Sequence, residues 1–319
     1  MILKNKRILI AGHKGLVGQA IHRKLVSEGY LNLLLADRET VDFIRREQLD
    51  DYFAEKNPEI VIITAGKVGG IGANKAFPAE FLYQNLLIWG NLIDASARFS
   101  VEKLIYLGSA TVYPENAQVP LKEEYLLSGP FEPNVEPYAL AKLNAIKLCE
   151  NYYRAYGKNF IPLTLANLYG IGDHFNTNTS HVIPSLITKF HLAKALDLQE
   201  VEVWGSGSAT RDFLNVDDLS DAILFALNSI DAGSIFDSGI SHLNVGSSSE
   251  TSIKQLAIQV AEAVDYSGKI LFDSTKPDGA ARKFLDTSRI NALGWSPRIS
   301  LSEGLNTTYD WFLSHAEVK

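Results

Sequence analysis

The sequence predicts an α/β protein: a doubly wound parallel sheet carrying a smaller α/β lobe assembled from discontinuous pieces of chain. Three observations predict it. Short apolar runs alternate with helix-period stretches through the first half of the 319 residues, the rhythm of repeated βα units. The first apolar run feeds a glycine-spaced turn, Gly12-His13-Lys14-Gly15-Leu16-Val17-Gly18. Beyond Gly170 the regular alternation loosens.

Taken in order, Arg7 to Ala11 is a short run of strand formers, and a helical pattern follows the turn as far as Leu25. Gly12 permits the tight turn, Gly15 lets backbone approach a pyrophosphate, and Gly18 lets the helix lie close to the strand. The first helical N–H groups, at Leu16 and Val17, then face the anion. A second strand, Leu33 to Ala36, ends at Asp37-Arg38, about twenty residues past the last glycine, where such folds read the adenosine ribose. An acid there suits the two hydroxyls of NAD and an arginine suits the 2′-phosphate of NADP. Both are present, and Lys14 adds a second cation, so the reading leans to NADPH. A third strand, Ile60 to Thr64, runs into Ala65-Gly66, which places Ala65 at the same edge. A helix from about Phe81 to Ala97, a strand from Lys103 to Leu107 and a helix from Tyr138 to about Ala155 continue the pattern. Ligands of such sheets bind at the carboxyl ends of the strands, so Ser109 sits at the ligand edge.

Composition narrows the function classes. With 46% hydrophobic and 21% charged residues, the chain is globular rather than disordered or fibrous. A net charge of -7 argues against a non-specific hold on nucleic acid or acidic membrane, so any phosphate must be held locally. Cys149 is the sole cysteine, which excludes an internal disulfide and makes a reducing, cytoplasmic location the expectation. No apolar run is long enough for a signal peptide or a membrane span. The seven histidines lack metal-ligand spacing, so no metal site is expected.

The chemistry is carried by Glu136-Pro137-Tyr138-Ala139-Leu140-Ala141-Lys142, which sets a tyrosine and a lysine one turn apart on one helix face. An ammonium beside the phenol, together with a positive nicotinamide ring, is expected to draw the phenol down from its ordinary pKa of ~10. That makes Tyr138 a general acid for a carbonyl receiving hydride, with Lys142 its partner and Ser109 a hydrogen-bond donor to the same carbonyl oxygen.

The glycine turn and the Ser109, Tyr138, Lys142 set resemble the extended short-chain dehydrogenase/reductases. Longer stretches are similar to one family among them, the GDP-L-fucose synthases, which are GDP-4-keto-6-deoxymannose 3,5-epimerase-4-reductases. These stretches are AGHKGLVG, AGKVGGIGAN, EPYALAKLNAIKLCENY, NLYGIGDHF, NTSHVIPSLITKFH, VWGSG and KPDGAARKFLD, and they run over nearly the whole chain. The resemblance implies a Rossmann-type domain, an NADP(H) cofactor touched also by Lys142 and Asn167, a GDP-linked 4-keto-6-deoxy sugar as substrate, and a homodimer formed through the two helices flanking the central strand.

The domain expectation is a cofactor-binding domain from residues 1-170 and 212-247, and a substrate-binding lobe from 171-211 and 248-319. Asp212 to Val216 and His242 to Val245 look like short elements returning to the sheet. Trp204 offers an aromatic face for a base, and Lys189, Arg211 and Lys283 are cations able to pair with a diphosphate. By resemblance these four serve the GDP moiety. His181 reads from the residues alone as a histidine near a helix start; by resemblance it stands where the family has its acid for epimerisation. The chain departs from the family after the central strand. The family has Gly-Ser-Ser-Cys there, its cysteine removing protons next to the keto group, whereas this chain has Gly108-Ser109-Ala110-Thr111. The expected activity is therefore reduction at C4 with epimerisation lost. The full epimerase-reductase and, in another class, a non-catalytic dinucleotide-sensing protein are the alternatives.

Overall fold

A computed structural model describes residues 2–175, 180–276 and 278–315. The first half alternates as β1 (Ile8–Ala11), α1 (Leu16–Ser27), β2 (Leu33–Ala36), α2 (Arg46–Lys56), β3 (Ile60–Ile63), α3 (Ile71–Ala76), α4 (Pro78–Arg98), β4 (Lys103–Leu107), α5 (Glu136–Tyr156) and β5 (Phe160–Leu165). The second half continues with β6 (Asn167–Tyr169), α6 (Val182–Ala195), β7 (Glu200–Trp204), β8 (Thr210–Asn215), α7 (Val216–Ser229), α8 (Ala232–Phe236) and β9 (Leu243–Val245). It closes with β10 (Glu250–Ser252), α9 (Ile253–Val264), β11 (Lys269–Asp273), β12 (Arg282–Lys283), α10 (Ser288–Ala292) and α11 (Leu301–His315).

Six strands form a parallel sheet in the order β2-β1-β3-β4-β5-β9. Every residue of β1, β3, β4 and β5 is buried, because helices cover both faces and leave no polar side to alternate with. Helix α1 packs with α7, while α4 packs with α2 and α5; right-handed crossovers put these two groups on opposite faces. The winding reverses between β1 and β3, and the ligand crevice of such a sheet opens at that point.

A second apolar core lies outside the sheet. Ile187 and Phe190 of α6, Val203 of β7, Leu256 and Val260 of α9, and Phe312 of α11 pack together in it. Helix α9 is started by a reciprocal capping box between Ser252 and Gln255, which satisfies two otherwise unpaired N–H groups. Strand β7 pairs with β11. Strand β8 lies between antiparallel β10 and parallel β12 and also pairs in parallel with β6.

Two expectations need correction. His242 to Val245 does supply a strand, β9, to the central sheet, but Asp212 to Val216 does not return there: β8 is the middle of the separate sheet. Leu285, Ile290 and Trp295, expected in the lobe, pack in the central core instead, because α10 lies against β9.

The loop after β4 is moored to β9 by buried polar side chains. The Tyr113 hydroxyl donates to Asn244 Oδ1 at 2.6 Å and accepts from His242 Nε2 at 2.7 Å. Asn244 donates through Nδ2 to the carbonyls of Leu121 and Asp286, and through its backbone N–H to Glu123. Burial pushes the His242 imidazole down from 6.5 to about 3, so it is neutral in the fold. As pH falls from 6.5 toward 3 the unfolded chain binds a proton here that the fold refuses, and stability is lost across that window. His242→Gln keeps a donor for Tyr113 without titrating. Urea unfolding at a series of pH values should show wild type losing about 1.5 kcal/mol more than this variant between pH 6.5 and 5; parallel curves would contradict the assignment.

Candidate active site

The glycine turn is built on a contact between two backbones. A Cβ on Gly12, whose φ is +96°, would come within 2.6 Å of the Ala65 nitrogen, and one on Gly18 within 2.3 Å of the Gly12 carbonyl oxygen. Both neighbours are held in place: Ala65 N–H donates to the Ala11 carbonyl at 2.7 Å, and the Thr64 hydroxyl reaches the Ala11 and Gly12 carbonyls at 2.8 and 3.0 Å. Helix α1 therefore starts hard against the turn, and no side chain caps the free N–H groups of its first residues, Leu16, Val17 and Gly18. At Gly15 a Cβ would meet only the Gly12 carbonyl, at 3.6 Å, so the turn is open on that side. This cradle fits a dinucleotide pyrophosphate: open backbone donors, a helix N-terminus and no side chain in the way.

At the ribose end, Asp37 is turned inward. Its carboxylate accepts from Lys14 at 2.7 Å and from the N–H groups of Glu39 and Thr40 at 2.9 and 3.1 Å. The Lys14 ammonium, first among these, holds the carboxyl well below the usual range. Arg38 is exposed and makes no ion pair among the described residues.

The turn after β3 is clamped from α4 by two residues that sequence reasoning missed. Asn85 is fully buried; it accepts from the Lys67 N–H and donates to the Lys67 and Phe81 carbonyls. Trp89 Nε1 donates to the Ala65 carbonyl at 2.7 Å. The available signal was a polar residue inside an apolar i, i+4 row, Phe81-Asn85-Trp89.

After β4, Ser109 and Thr111 form a unit. Ser109 Oγ accepts from the Thr111 N–H at 3.3 Å and from the Thr111 hydroxyl at 3.2 Å. With both acceptor positions used, the Ser109 proton is the one left to donate. Tyr138 and Lys142 lie one turn apart on α5. Lys142 Nζ donates to the Leu107 carbonyl at 2.6 Å and is ringed by Trp89, Tyr106 and Tyr138, with ring centroids at 4.1, 5.1 and 5.6 Å. Burial pulls its pKa down to about 7. Burial likewise pushes the Tyr138 phenol up, against the pull expected from the ammonium and a nicotinamide ring together. The lysine does not offset it, because desolvation has removed much of the ammonium's own stability. Cys149, further along α5, is buried and its thiol is pushed up by desolvation.

The lobe supplies a second pocket, lined by Asn167, Val182, Trp204, Arg211, Phe213 and Asp278. Trp204 is 65% exposed, with the Lys189 and Lys276 ammoniums 5.5 and 5.8 Å from its ring centroid. Arg211 is fixed by donating to the carbonyls of Thr210 and Ala280 at 2.7 and 2.6 Å; burial lowers its pKa, opposed by Glu132 and Asp278. Lys283 is not a free cation, as it pairs with Glu132 at 3.0 Å. Lys276, Glu132 and Asp278 were not singled out in the sequence. Asn167, expected on the cofactor, lines this pocket and donates to the Asp212 carbonyl at 3.1 Å. His181 occupies the N-cap position of α6 with an exposed side chain and makes no capping bond; desolvation by nearby protein lowers its pKa. Part of its motif, residues 176–179, lies outside the described residues. Among the described residues no cluster of His, Cys, Asp or Glu is arranged to hold a metal ion, and no helix is long and apolar enough to cross a membrane.

Comparison with known proteins agrees with this geometry. The family model described as NAD dependent epimerase/dehydratase matches residues 8–246. The chain is 47% identical to a GDP-L-fucose synthase of Sinorhizobium fredii, over 98% of each protein. Among solved structures it is similar to a GDP-mannoheptose C4 reductase from Campylobacter jejuni with NADP bound, at 38% identity and a TM-score of 0.89, covering 97% of this chain and 99% of that one. It is also similar to a GDP-6-OMe-4-keto-L-xylo-heptose reductase from the same organism, at 35% identity and a TM-score of 0.92, over 98% and 99%. With the crevice, the Tyr138–Lys142 pair and these matches together, the chain belongs to the NAD dependent epimerase/dehydratase family, in its GDP-L-fucose synthase branch.

Proposed function

We propose that this protein is an NADPH-dependent reductase of the C4 keto group of a GDP-linked 4-keto-6-deoxy sugar, hexose or heptose, and that it no longer epimerises the neighbouring carbons. The observation that carries this reading is Thr111: where the family has a thiol, a hydroxyl is bonded to Ser109. A threonine hydroxyl does not ionise usefully near neutral pH without a strong base beside it, whereas a thiol can. Cys149 offers no substitute, since it is buried in the core. The chain is 47% identical to a fucose synthase relative and 38% and 35% identical to two heptose reductases; Thr111 is what favours the reductases.

NADPH, when bound, supplies the hydride to C4. Leu16, Val17 and Gly18 would hold its pyrophosphate through their N–H groups, and Arg38 with Lys14 would take the 2′-phosphate. Ser109 donates to the ketone oxygen with the proton that Thr111 leaves free. Tyr138 passes its proton to the same oxygen as negative charge develops there, and the high resting pKa of the buried phenol keeps it protonated until that moment. Lys142, near pKa 7, restores the proton or stabilises the phenolate. In the lobe, Trp204 would stack the guanine and Lys189, Arg211 and Lys283 would face the diphosphate, with His181 at the edge of the same pocket. The enzyme would act in the cytoplasm as a homodimer joined through α4 and α5, which expose Tyr83 and Leu140.

Replacing the phenol, Tyr138→Phe should lower kcat for ketosugar reduction by two to four orders of magnitude and leave the NADPH dissociation constant within a few-fold of wild type. Turnover near wild type would remove Tyr138 from the mechanism.

Arg38→Ala should weaken NADPH by roughly ten-fold or more and NADH little, because only the former carries the phosphate that a guanidinium grips. A wild-type preference for NADH in steady-state kinetics would make Asp37 the ribose reader instead.

Reduction of a GDP-4-keto-6-deoxy sugar in heavy water should give product without deuterium at C3 or C5, read by NMR. Deuterium entering either carbon on the way to product would restore the epimerase-reductase reading. Thr111→Cys should bring back partial exchange if the remainder of that site is in place.

A further inference from the structure

Trp89 is 1% exposed and reaches every part of the proposed catalytic centre except the serine loop. Its Nε1 is bonded to the Ala65 carbonyl at 2.7 Å, and its six-membered ring presses on Gly66, where a Cβ would come within 2.9 Å. It meets Tyr106 and Tyr138 edge-on, at centroid separations of 5.7 and 6.0 Å. The Lys142 ammonium lies 4.1 Å from its ring centroid, the shortest of that ammonium's three aromatic contacts.

An ammonium carries three donors, and Lys142 has one protein acceptor, the Leu107 carbonyl. A buried cation so poorly paired ordinarily sheds its proton. Indole is the aromatic ring with the greatest attraction for a cation over its face, and the attraction grows when both are dry. The titratable groups facing Lys142 are the phenols of Tyr138 on its own helix and Tyr106 on β4. From α4 it meets only the uncharged Trp89, and the loop after β4 carries no charged side chain before Glu115. No ion pair to Lys142 exists among the described residues, so no carboxylate substitutes for the ring.

We propose that Trp89 is a positioning residue for reduction: its indole face keeps Lys142 an ammonium beside Tyr138, while its N–H ties that pair to the cofactor turn at Ala65. This rests on Tyr138 and Lys142 being the acting pair, and it predicts a protonation effect that a packing role alone does not. Without the indole face the ammonium is less favoured and loses its proton at lower pH.

Trp89→Leu and Trp89→Phe both lose the bond to Ala65, but only the phenylalanine keeps a π face. The pH profile of kcat/KM for ketosugar reduction should therefore move its alkaline limb down by about one unit in Trp89→Leu and by less than half of that in Trp89→Phe. Equal shifts in the two variants, or none in either, would overturn the proposal. A second measurement needs neither an altered Trp89 nor any sugar. Tryptophan near-UV absorbance and fluorescence of the wild-type protein without nucleotide should titrate above the pH of about 7 that burial alone would give Lys142, and that component should vanish in Lys142→Met. A signal that is flat, or that persists in Lys142→Met, also overturns the proposal. Because this titration uses no substrate, it separates failure of the Trp89 inference from failure of the assigned reaction.

Discussion

The backbone of Gly12 lies against the backbone of Ala65, and the ligand edge of the sheet is arranged around that contact. It is tolerable because the polar groups at the junction are bonded to one another: Ala65 N–H and the Thr64 hydroxyl both reach the Ala11 carbonyl. From there the placement passes outward by direct contact. The Ala65 carbonyl holds Trp89, Trp89 lies under Lys142, and Lys142 is a turn away from Tyr138. The glycine turn and the Tyr138 phenol are thus parts of one packed unit, and a side chain at Gly12 would disturb the phenol through three intermediaries.

The lobe follows a different logic. The chain is acidic overall, with a net charge of -7, yet Lys189, Lys276, Arg211 and Lys283 gather at or beside one pocket. Glu132 and Asp278 sit among them: Glu132 pairs with Lys283, and both acids oppose the desolvation of Arg211. Asp278 also accepts from the N–H and hydroxyl of Ser206. Such acids keep cations charged and aligned before an anion arrives, so less reorganisation remains for binding to drive. The positive charge at this pocket is local, set in place by Glu132 and Asp278.

Much of the central sheet was legible because its strands are buried on both faces and read as unbroken apolar runs, as in Ile60 to Ile63. The pairing of β8 was not. Phe213 and Leu214 look alike whether the strand joins one sheet or another, and the choice is settled by Thr251 and Arg282, distant in sequence. Ser109, Tyr138 and Lys142 stood out by type and spacing, but spacing says nothing of solvent. The upward push of burial on Tyr138 was therefore not legible, because it depends on how much water Trp89 and Phe81 exclude. Trp89 itself was hidden for a related reason: a tryptophan in an apolar helical stripe reads as core, and only the cation across the helix interface gives it another part.

The mooring of Tyr113 to Asn244 and His242 bears on when the site can exist during synthesis. The segment carrying Ser109 and Thr111 is made just after the first third of the chain, and the glycine turn, α4 and β4 precede it. The side chains that hold this segment down lie on β9 and just before it, more than a hundred residues later. A ribosome that has delivered α5 has produced a sheet still lacking its last two strands, β5 and β9, with the serine loop untied on that side. Strand β9 must be translated and docked before the Ser109 hydroxyl, proposed to polarise the carbonyl, and Tyr138, the proposed proton donor, share a fixed frame.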